Sequence, residues 1–313
     1  MRLGTGPRLL SQPQLPTYDA RLPFGRRQLS ASLVALADLL LAADGLGIRF
    51  YRMAAPLVPV MTPLDLAAFR AQLEQCASLA QWLGQRAAGL GQRLTVHPVL
   101  EVQLGSADAE LAQRGLALVV AWSELLAAMD LGPEACLVVH IGGGADRAAR
   151  ERFARRAERL SGQALARLAV ENDELYGRLE DGLWLHQRLG LPVVWDYLHW
   201  RCLNPGGAGA EEAYRLVAAT WPAGVPPKLH FSSASTSGGG RRPLPRRHAD
   251  LIDPFAFLDF LALVGKENDI MLEARAKDLA LLKLRDDLIG LGCQALLEDS
   301  GAPPNLARQP LSA

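Results

Sequence analysis

Residues 192–200 read PVVWDYLHW. Pro192 opens a short apolar run, Val193-Val194-Trp195, which ends on an acid, Asp196, and is followed three residues later by His199. A run of that length, rich in β-branched and aromatic residues, reads as a strand buried on both faces. Asp196 and His199 then fall where the strand opens into a loop, close enough to serve one site. One such stretch decides little. Its weight comes from recurrence, because the same arrangement returns along the chain.

Towards the N-terminus, Leu168-Ala169-Val170 runs into Glu171, Cys136 to Val139 ends at His140, and Leu94 to Val96 ends at His97. Two earlier strands are expected at Met1 to Gly4 and Ile48 to Met53. Towards the C-terminus, Lys228 to Phe231 contains His230, and Ile270 to Leu272 ends at Glu273. Amphipathic helices separate them. One spans Leu33 to Leu46, and one runs from a capping Thr62-Pro63-Leu64-Asp65 towards Gly89. Others run from Ser106 to near Gly132, from Asp146 to Leu160, and just before Pro192. The last three lie around Tyr214, over Phe255 to Val264 behind an Asp253-Pro254 cap, and over Lys277 to Ile289.

Eight strands alternating with helices make an α/β chain with the pattern of a single-domain (β/α)8 TIM barrel. An open doubly wound sheet is the rival. It requires a glycine-rich phosphate loop after the first strand, and GTGPRLLS after Met1-Arg2-Leu3 lacks that spacing. The triple glycine after His140 also lacks GxGxxG spacing, so no nucleotide cofactor is expected. The barrel is assigned to residues 1–295, with 296–313 as a flexible Pro-rich tail.

Composition agrees. Half of the 313 residues are hydrophobic, enough for a large core. Lys+Arg and Asp+Glu are both 33, so any site for a polyanion has to be local. Cys76, Cys136, Cys202 and Cys293 show no CxxC spacing, the pattern of reduced core thiols. No apolar signal core and no run long enough to span a bilayer is evident, so a cytoplasmic protein is expected, nucleoid-associated through DNA, and a monomer.

In a barrel, functional groups project from the carboxyl ends of the strands. Those ends carry His97, His140, Glu171, Asp196 with His199, His230 and Glu273, and His248 lies in the loop after the seventh strand. Only His186, inside a helix, is left out. One histidine at a strand end is most often a structural hydrogen-bonding group. The same chemistry at six strand ends is not explained that way. Five imidazoles and three carboxylates without a cysteine suit manganese, zinc or iron, and are too rich in histidine for a simple magnesium site. Eight ligands are more than one ion needs, so two or three metals are expected, a constellation suited to phosphodiester hydrolysis.

The segments RLTVHP, LVVHIGGG, LAVEND, VVWDYLHW, KLHFSS, HADLI and IMLEARAKDLALLKL, taken in order, resemble the UV damage endonuclease (UvsE/UVDE) family, related to endonuclease IV. The resemblance runs from about Ile48 to Leu284. It implies a TIM barrel with a two- or three-metal centre, usually manganese, with zinc, cobalt or magnesium as substitutes. It also implies cleavage of damaged double-stranded DNA 5′ of a UV photoproduct, leaving a 3′-hydroxyl. By the same resemblance His97, His140 and Glu171 hold one metal, Glu171, Asp196, His230 and Glu273 the second, and His199 and His248 help hold a third. Lys228 matches a lysine that can be carboxylated beside the metals; the alternative is an ordinary ammonium.

The departures concern DNA. The family usually carries Gln and an aromatic after His-Pro, where this chain has Val99-Leu100-Glu101, leaving Leu100 as a possible apolar wedge. Arg52-Met53-Ala54-Ala55 stands where two serines are usual, and Thr5 where a tyrosine is common. Lesion preference is therefore open, and an apurinic-site endonuclease or a sugar isomerase on the same barrel are the rivals. Arg241, Arg242, Arg246 and Arg247, in a loop with no acid, read either as a phosphate clamp or as a solvated insertion. Six arginines between Arg147 and Arg159, interleaved with Glu151 and Glu158, read as an ion-paired outer helix face.

Overall fold

The structure, a computed structural model, describes residues 1–23, 26–98, 102–144, 146–204, 206–207, 209–236 and 244–297. Its strands are β1 (Arg2–Thr5), β2 (Phe50–Met53), β3 (Arg93–Val96), β4 (Leu137–His140), β5 (Leu168–Glu171), β6 (Val193–Asp196) and β7 (Lys228–Phe231). They continue with β8 (Ala234–Ser235), β9 (Leu244–His248) and β10 (Asp269–Leu272). All but β8 and β9 form one closed parallel barrel. β1 completes it by pairing with β2 on one side and with β10 on the other, where Leu3 faces Ile270 and Gly4 faces Met271.

Around the barrel lie α1 (Leu29–Gly45), α2 (Leu66–Gln75), α3 (Ala77–Gly89), α4 (Ala109–Ala128), α5 (Ala149–Ala157) and α6 (Gly162–Leu165). α7 (Leu179–Leu189), α8 (Tyr197–Leu203), α9 (Ala210–Ala218), α10 (Pro254–Val264) and α11 (Lys277–Gly290) follow. The expected (β/α)8 barrel is the observed fold.

Several boundaries shift for identifiable reasons. The stretch from Thr62 does start on its cap, with Asp65 accepting the Thr62 N–H at 2.8 Å, but the first turn is 3-10. The chain then breaks at Cys76, so α2 and α3 are two helices. α4 begins at Ala109 because Asp108, and not Ser106, caps it by accepting the N–H groups of Glu110 and Leu111. The loop leading to His248 is not all loop, since β9 pairs antiparallel with β8. Among the described helices α4 alone is long and apolar enough to cross a bilayer, contrary to the expectation from sequence; 61% of that apolar window is buried inside the protein.

Alternation along the strands separates two cores. Leu3, Leu94, Val139, Val170, Trp195, Leu229 and Ile270 pack outward against the helices. Cys136, Val138, Ala169 and Val194 form a second, small cluster with Trp221 inside the barrel. The rest of the interior mixes the apolar Phe50 and Met271 with buried charges. Near the amino ends of the strands Arg93 and Asp269 pair at 3.0 Å, both fully buried, and Arg93 also donates to the carbonyls of Glu134 and Pro226. One step higher, the Lys228 ammonium donates to Thr95 Oγ1 at 3.1 Å and lies over the Phe50 ring.

Candidate metal centre

Above Lys228, inward residues of β4 to β7 and the residues just beyond β3 and β10 converge at the carboxyl mouth. Glu171 is the hub. Its Oε1 accepts from His230 Nδ1 at 2.6 Å. Its Oε2 lies 2.9 Å from His97 Nε2 and 3.8 Å from His140 Nε2, yet makes no hydrogen bond to either. His230 Nδ1 is also 3.3 Å from Glu273 Oε1. The two flanking imidazoles are oriented from behind. His97 Nδ1 is 2.8 Å from the Val138 carbonyl and His140 Nδ1 is 3.4 Å from that of Glu171, which places the proton on Nδ1 and leaves Nε2 facing the hub.

Beside this group stands a second. Asp196 does not open a loop, as the sequence suggested, but caps α8, its Oδ1 accepting the His199 N–H at 2.7 Å. That bond turns Oδ2 towards His199 Nδ1, 3.5 Å away. His199 and His248 approach through their Nε2 atoms at 3.2 Å, and His248 Nδ1 is 3.9 Å from Glu273 Oε2. Ligand atoms of His97, Glu171, His230 and Glu273 lie within 4.8 Å of one another, and so do those of Asp196, His199 and His248. The family resemblance allots Asp196 to the group of Glu171, His230 and Glu273; in the structure its Oδ2 lies 3.5 Å from His199 Nδ1, in the group with His248.

The electrostatics divide the same way. Burial alone raises the Glu171 carboxyl, but His230, His97 and His140 outweigh it and hold the group well below its usual range. Glu273 is likewise held well below, with His230 and Arg52 outweighing burial. Burial lowers His97 and His248, and pushes His230 down to about 4. Asp196 goes the other way, up to about 8, through burial and the neighbouring Glu171 and Glu273. Burial would lower His199, but Asp196, Glu171, Glu273 and Glu174 raise it to about 9. A protonated His199 beside a neutral His248 explains the short Nε2–Nε2 approach, one nitrogen donating and the other accepting.

Four contributors are not evident from the sequence alone. Arg52, which there signals only a loss of hydroxyl donors, points up from β2 and ion-pairs with Glu273. Lys277, at the start of α11, shares the space above Gly6 with the Arg52 guanidinium, so the β1–β2 side of the mouth is cationic. Asn172 splints the ends of β5 and β6: its side-chain N–H donates to the Asp196 carbonyl and its Oδ1 accepts the Asp196 N–H, both at 3.0 Å. Glu174 Oε2 lies 3.8 Å from His199 Nε2. A charged residue within the apolar strand FYRM and the run of acids in ENDE were the available signals.

Lys228 is fully buried beneath the centre, and burial pushes its ammonium down to about 8. Arg246 and Arg247 are exposed on β9, directly before His248. Leu100, Arg241 and Arg242 lie outside the described residues.

Comparison with known proteins identifies the family and the fold. A model of the UV-endonuclease UvdE family matches residues 26–295. The UV DNA damage endonuclease of Halalkalibacterium halodurans is 30% identical over 249 residues, 77% of this chain and 75% of its own. The crystal structure of SacUVDE superposes with a TM-score of 0.77 at 24% identity, covering 93% of this chain and 99% of that one. Endonuclease IV of Thermus thermophilus shares the fold at a TM-score of 0.56 and 18% identity, covering 93% of this chain and all of that one. With its barrel, its converging histidines and carboxylates and a family match across residues 26–295, the chain belongs to the UV-endonuclease UvdE family.

Proposed function

We propose that the centre binds two or three divalent metals and that the protein nicks double-stranded DNA 5′ of UV photoproducts, cyclobutane dimers and 6-4 products, leaving a 3′-hydroxyl. One observation supports this most. Glu171 Oε2, Asp196 Oδ2, His199 Nδ1 and His230 Nε2 are buried polar atoms without a hydrogen-bond partner, gathered at one mouth of the barrel. Native proteins rarely leave such atoms unsatisfied, and these are the donor types of a metal site. The residues fit the group. His97, Glu171, His230 and Glu273, with His140 alongside, would hold one or two ions, and Asp196, His199 and His248 another. Manganese suits the mixed imidazole and carboxylate set, with zinc, cobalt and magnesium as alternatives. Bound divalent ions supply Lewis acidity towards the phosphodiester and activate water.

The protein's own groups do the rest. Asn172 and the backbone bonds to His97 and His140 hold the donors in place, which spares reorganisation when substrate arrives. Arg52 and Lys277 give the opposite side of the mouth positive charge for a phosphate. Arg246 and Arg247, exposed beside His248, extend that charge towards the duplex, and Leu100, Arg241 and Arg242 are assigned to the same DNA contact. With its pKa near 8, roughly a tenth of Lys228 is neutral amine at pH 7, the form that reacts with carbon dioxide to give a carboxylated lysine below the metals. The protein is expected to act as a monomer.

A nicking assay on photoproduct, abasic and undamaged duplexes with Mn²⁺ tests this. Incision 5′ of the photoproduct, with ends that a polymerase extends, is expected, and chelation or Glu171→Ala should abolish it. No incision by the wild type, or full activity in Glu171→Ala, would overturn the assignment. Preferential cleavage of the abasic duplex would move it to an endonuclease IV type of activity.

A further inference from the structure

The loops that follow His140 and Glu171 rise beside the centre and enclose a cleft of about 550 Å³. Its floor is Ile141 and Gly142, and one wall is Leu175, Tyr176 and Arg178. The floor is possible because Gly142, Gly143 and Gly144 take φ of 71°, 85° and 65°, a left-handed run that side chains resist. The lining is cationic on balance. Asp146 is engaged by Arg152 at 2.8 Å and Asp181 by Arg150 at 2.9 Å, while Arg147 and Arg178 are exposed and make no ion pair among the described residues. α5 and α7 both begin at the rim, and at the start of α5 the Asp146 carboxylate accepts the Ala148 N–H at 2.9 Å, so the free charge of the lining is that of Arg147 and Arg178. Tyr176 is 51% exposed, an uncommon position for an aromatic ring that nothing covers.

The cleft and the centre are built on the same two loops. Glu174 approaches His199, and the next two residues of the same loop, Leu175 and Tyr176, line the cleft. The six-arginine segment around α5 thus divides. Arg150 and Arg152 ion-pair with Asp181 and Asp146, Arg156 donates to backbone carbonyls, and Glu151 and Glu158 pair with Arg188, whereas Arg147 lines the cleft with no ion pair among the described residues.

We propose that this cleft is a DNA subsite for the nucleotides flanking the cleaved bond, Arg147 and Arg178 holding backbone phosphates and Tyr176 stacking on an unpaired base. The proposal rests on the DNA-nicking reading of the centre. Its test measures binding and nicking of a photoproduct duplex by the metal-loaded protein at several salt concentrations. Arg147→Glu/Arg178→Glu should raise Kd and KM by about ten-fold or more, leave kcat at saturating DNA nearly unchanged, and flatten the salt dependence by about two phosphate contacts. Tyr176→Ala should weaken binding about five-fold or more. Arg147→Lys/Arg178→Lys should restore most of the affinity. Arg155→Glu, an exposed site on α5 outside the cleft lining, should change little. A wild type that nicks normally while the double reversal keeps its KM and salt slope overturns the subsite alone. So does an Arg155→Glu variant that loses as much affinity as the double reversal. A wild type that neither binds nor nicks damaged DNA overturns both readings.

Discussion

Loading the centre with metal should expel protons, and from one side only. Ligation requires neutral imidazoles and ionised carboxylates. His97, His230 and His248 are pushed down and Glu171 and Glu273 held well below their usual range, so at pH 7 they already have the required form. Asp196, raised to about 8, and His199, raised to about 9, do not. Their folded-state pKa values lie above 7, so metal uptake there grows stronger as pH rises towards 9 and weaker as it falls. At pH 7 the pair should release between about one and two protons on metal binding. The corresponding loss in affinity is about ten- to a hundred-fold per pH unit below 8, or about 1.4–2.7 kcal/mol. Binding at the His97, Glu171, His230 and Glu273 group should be nearly flat over the same interval. Calorimetric titration with Mn²⁺ in buffers of different ionisation enthalpy counts the protons directly. Asp196→Asn/His199→Ala should still bind metal at the first group and release almost none. A wild type that releases no proton at pH 7, or a double variant that releases as many as the wild type, would refute the reasoning.

Two further predictions concern the scaffold. A β-carbon on Gly84 would stand 1.6 Å from the Met129 carbonyl oxygen, where α3 packs on the end of α4, whereas one on Gly89 in the same helix meets nothing within 4 Å. Gly84→Ala should therefore cost about 2–3 kcal/mol in urea unfolding and Gly89→Ala nothing comparable; equal effects would disprove the contact. Arg93→Met would leave Asp269 buried with only Arg2 as partner, and should destabilise the metal-free protein by about 3–5 kcal/mol. Unchanged unfolding would show that the pair inside the barrel is not a structural contact.

The barrel was legible because each strand carries its polarity switch within a few residues. LVVH, LAVE and VVWD end on a charged or imidazole group just where the sheet gives way to the mouth. The convergence of His97, His140, Glu171, Asp196, His230 and Glu273 at one mouth was legible for the same reason, since side-chain alternation is a local property. What escaped depends on partners far along the chain or on bonds that hydropathy does not register. Arg52 finds Glu273 across 221 residues, and Arg93 finds Asp269 across 176. The Asp196 carboxylate caps a helix starting at Tyr197, a bond that hydropathy does not register. The hairpin before His248 hides in an arginine-rich segment without alternation. Helix boundaries moved by a few residues wherever a cap, such as Asp108, competed with a plausible earlier start.

Closure of the barrel by β1 and β10 also sets a timetable. The two strands meet across 267 residues, and Glu273 follows directly on the second of them. At translation rates of about 5–20 residues per second, on the order of ten to fifty seconds separate the emergence of β1 from that of its partner. During that interval His97, His140 and Glu171 can be made, but β1 has only β2 beside it and the Glu273 donor does not yet exist. A nascent chain therefore lacks a finished centre until nearly all of it has been synthesised. Nuclease competence arrives with the last strand, as a property of the completed ring and of no fragment of it.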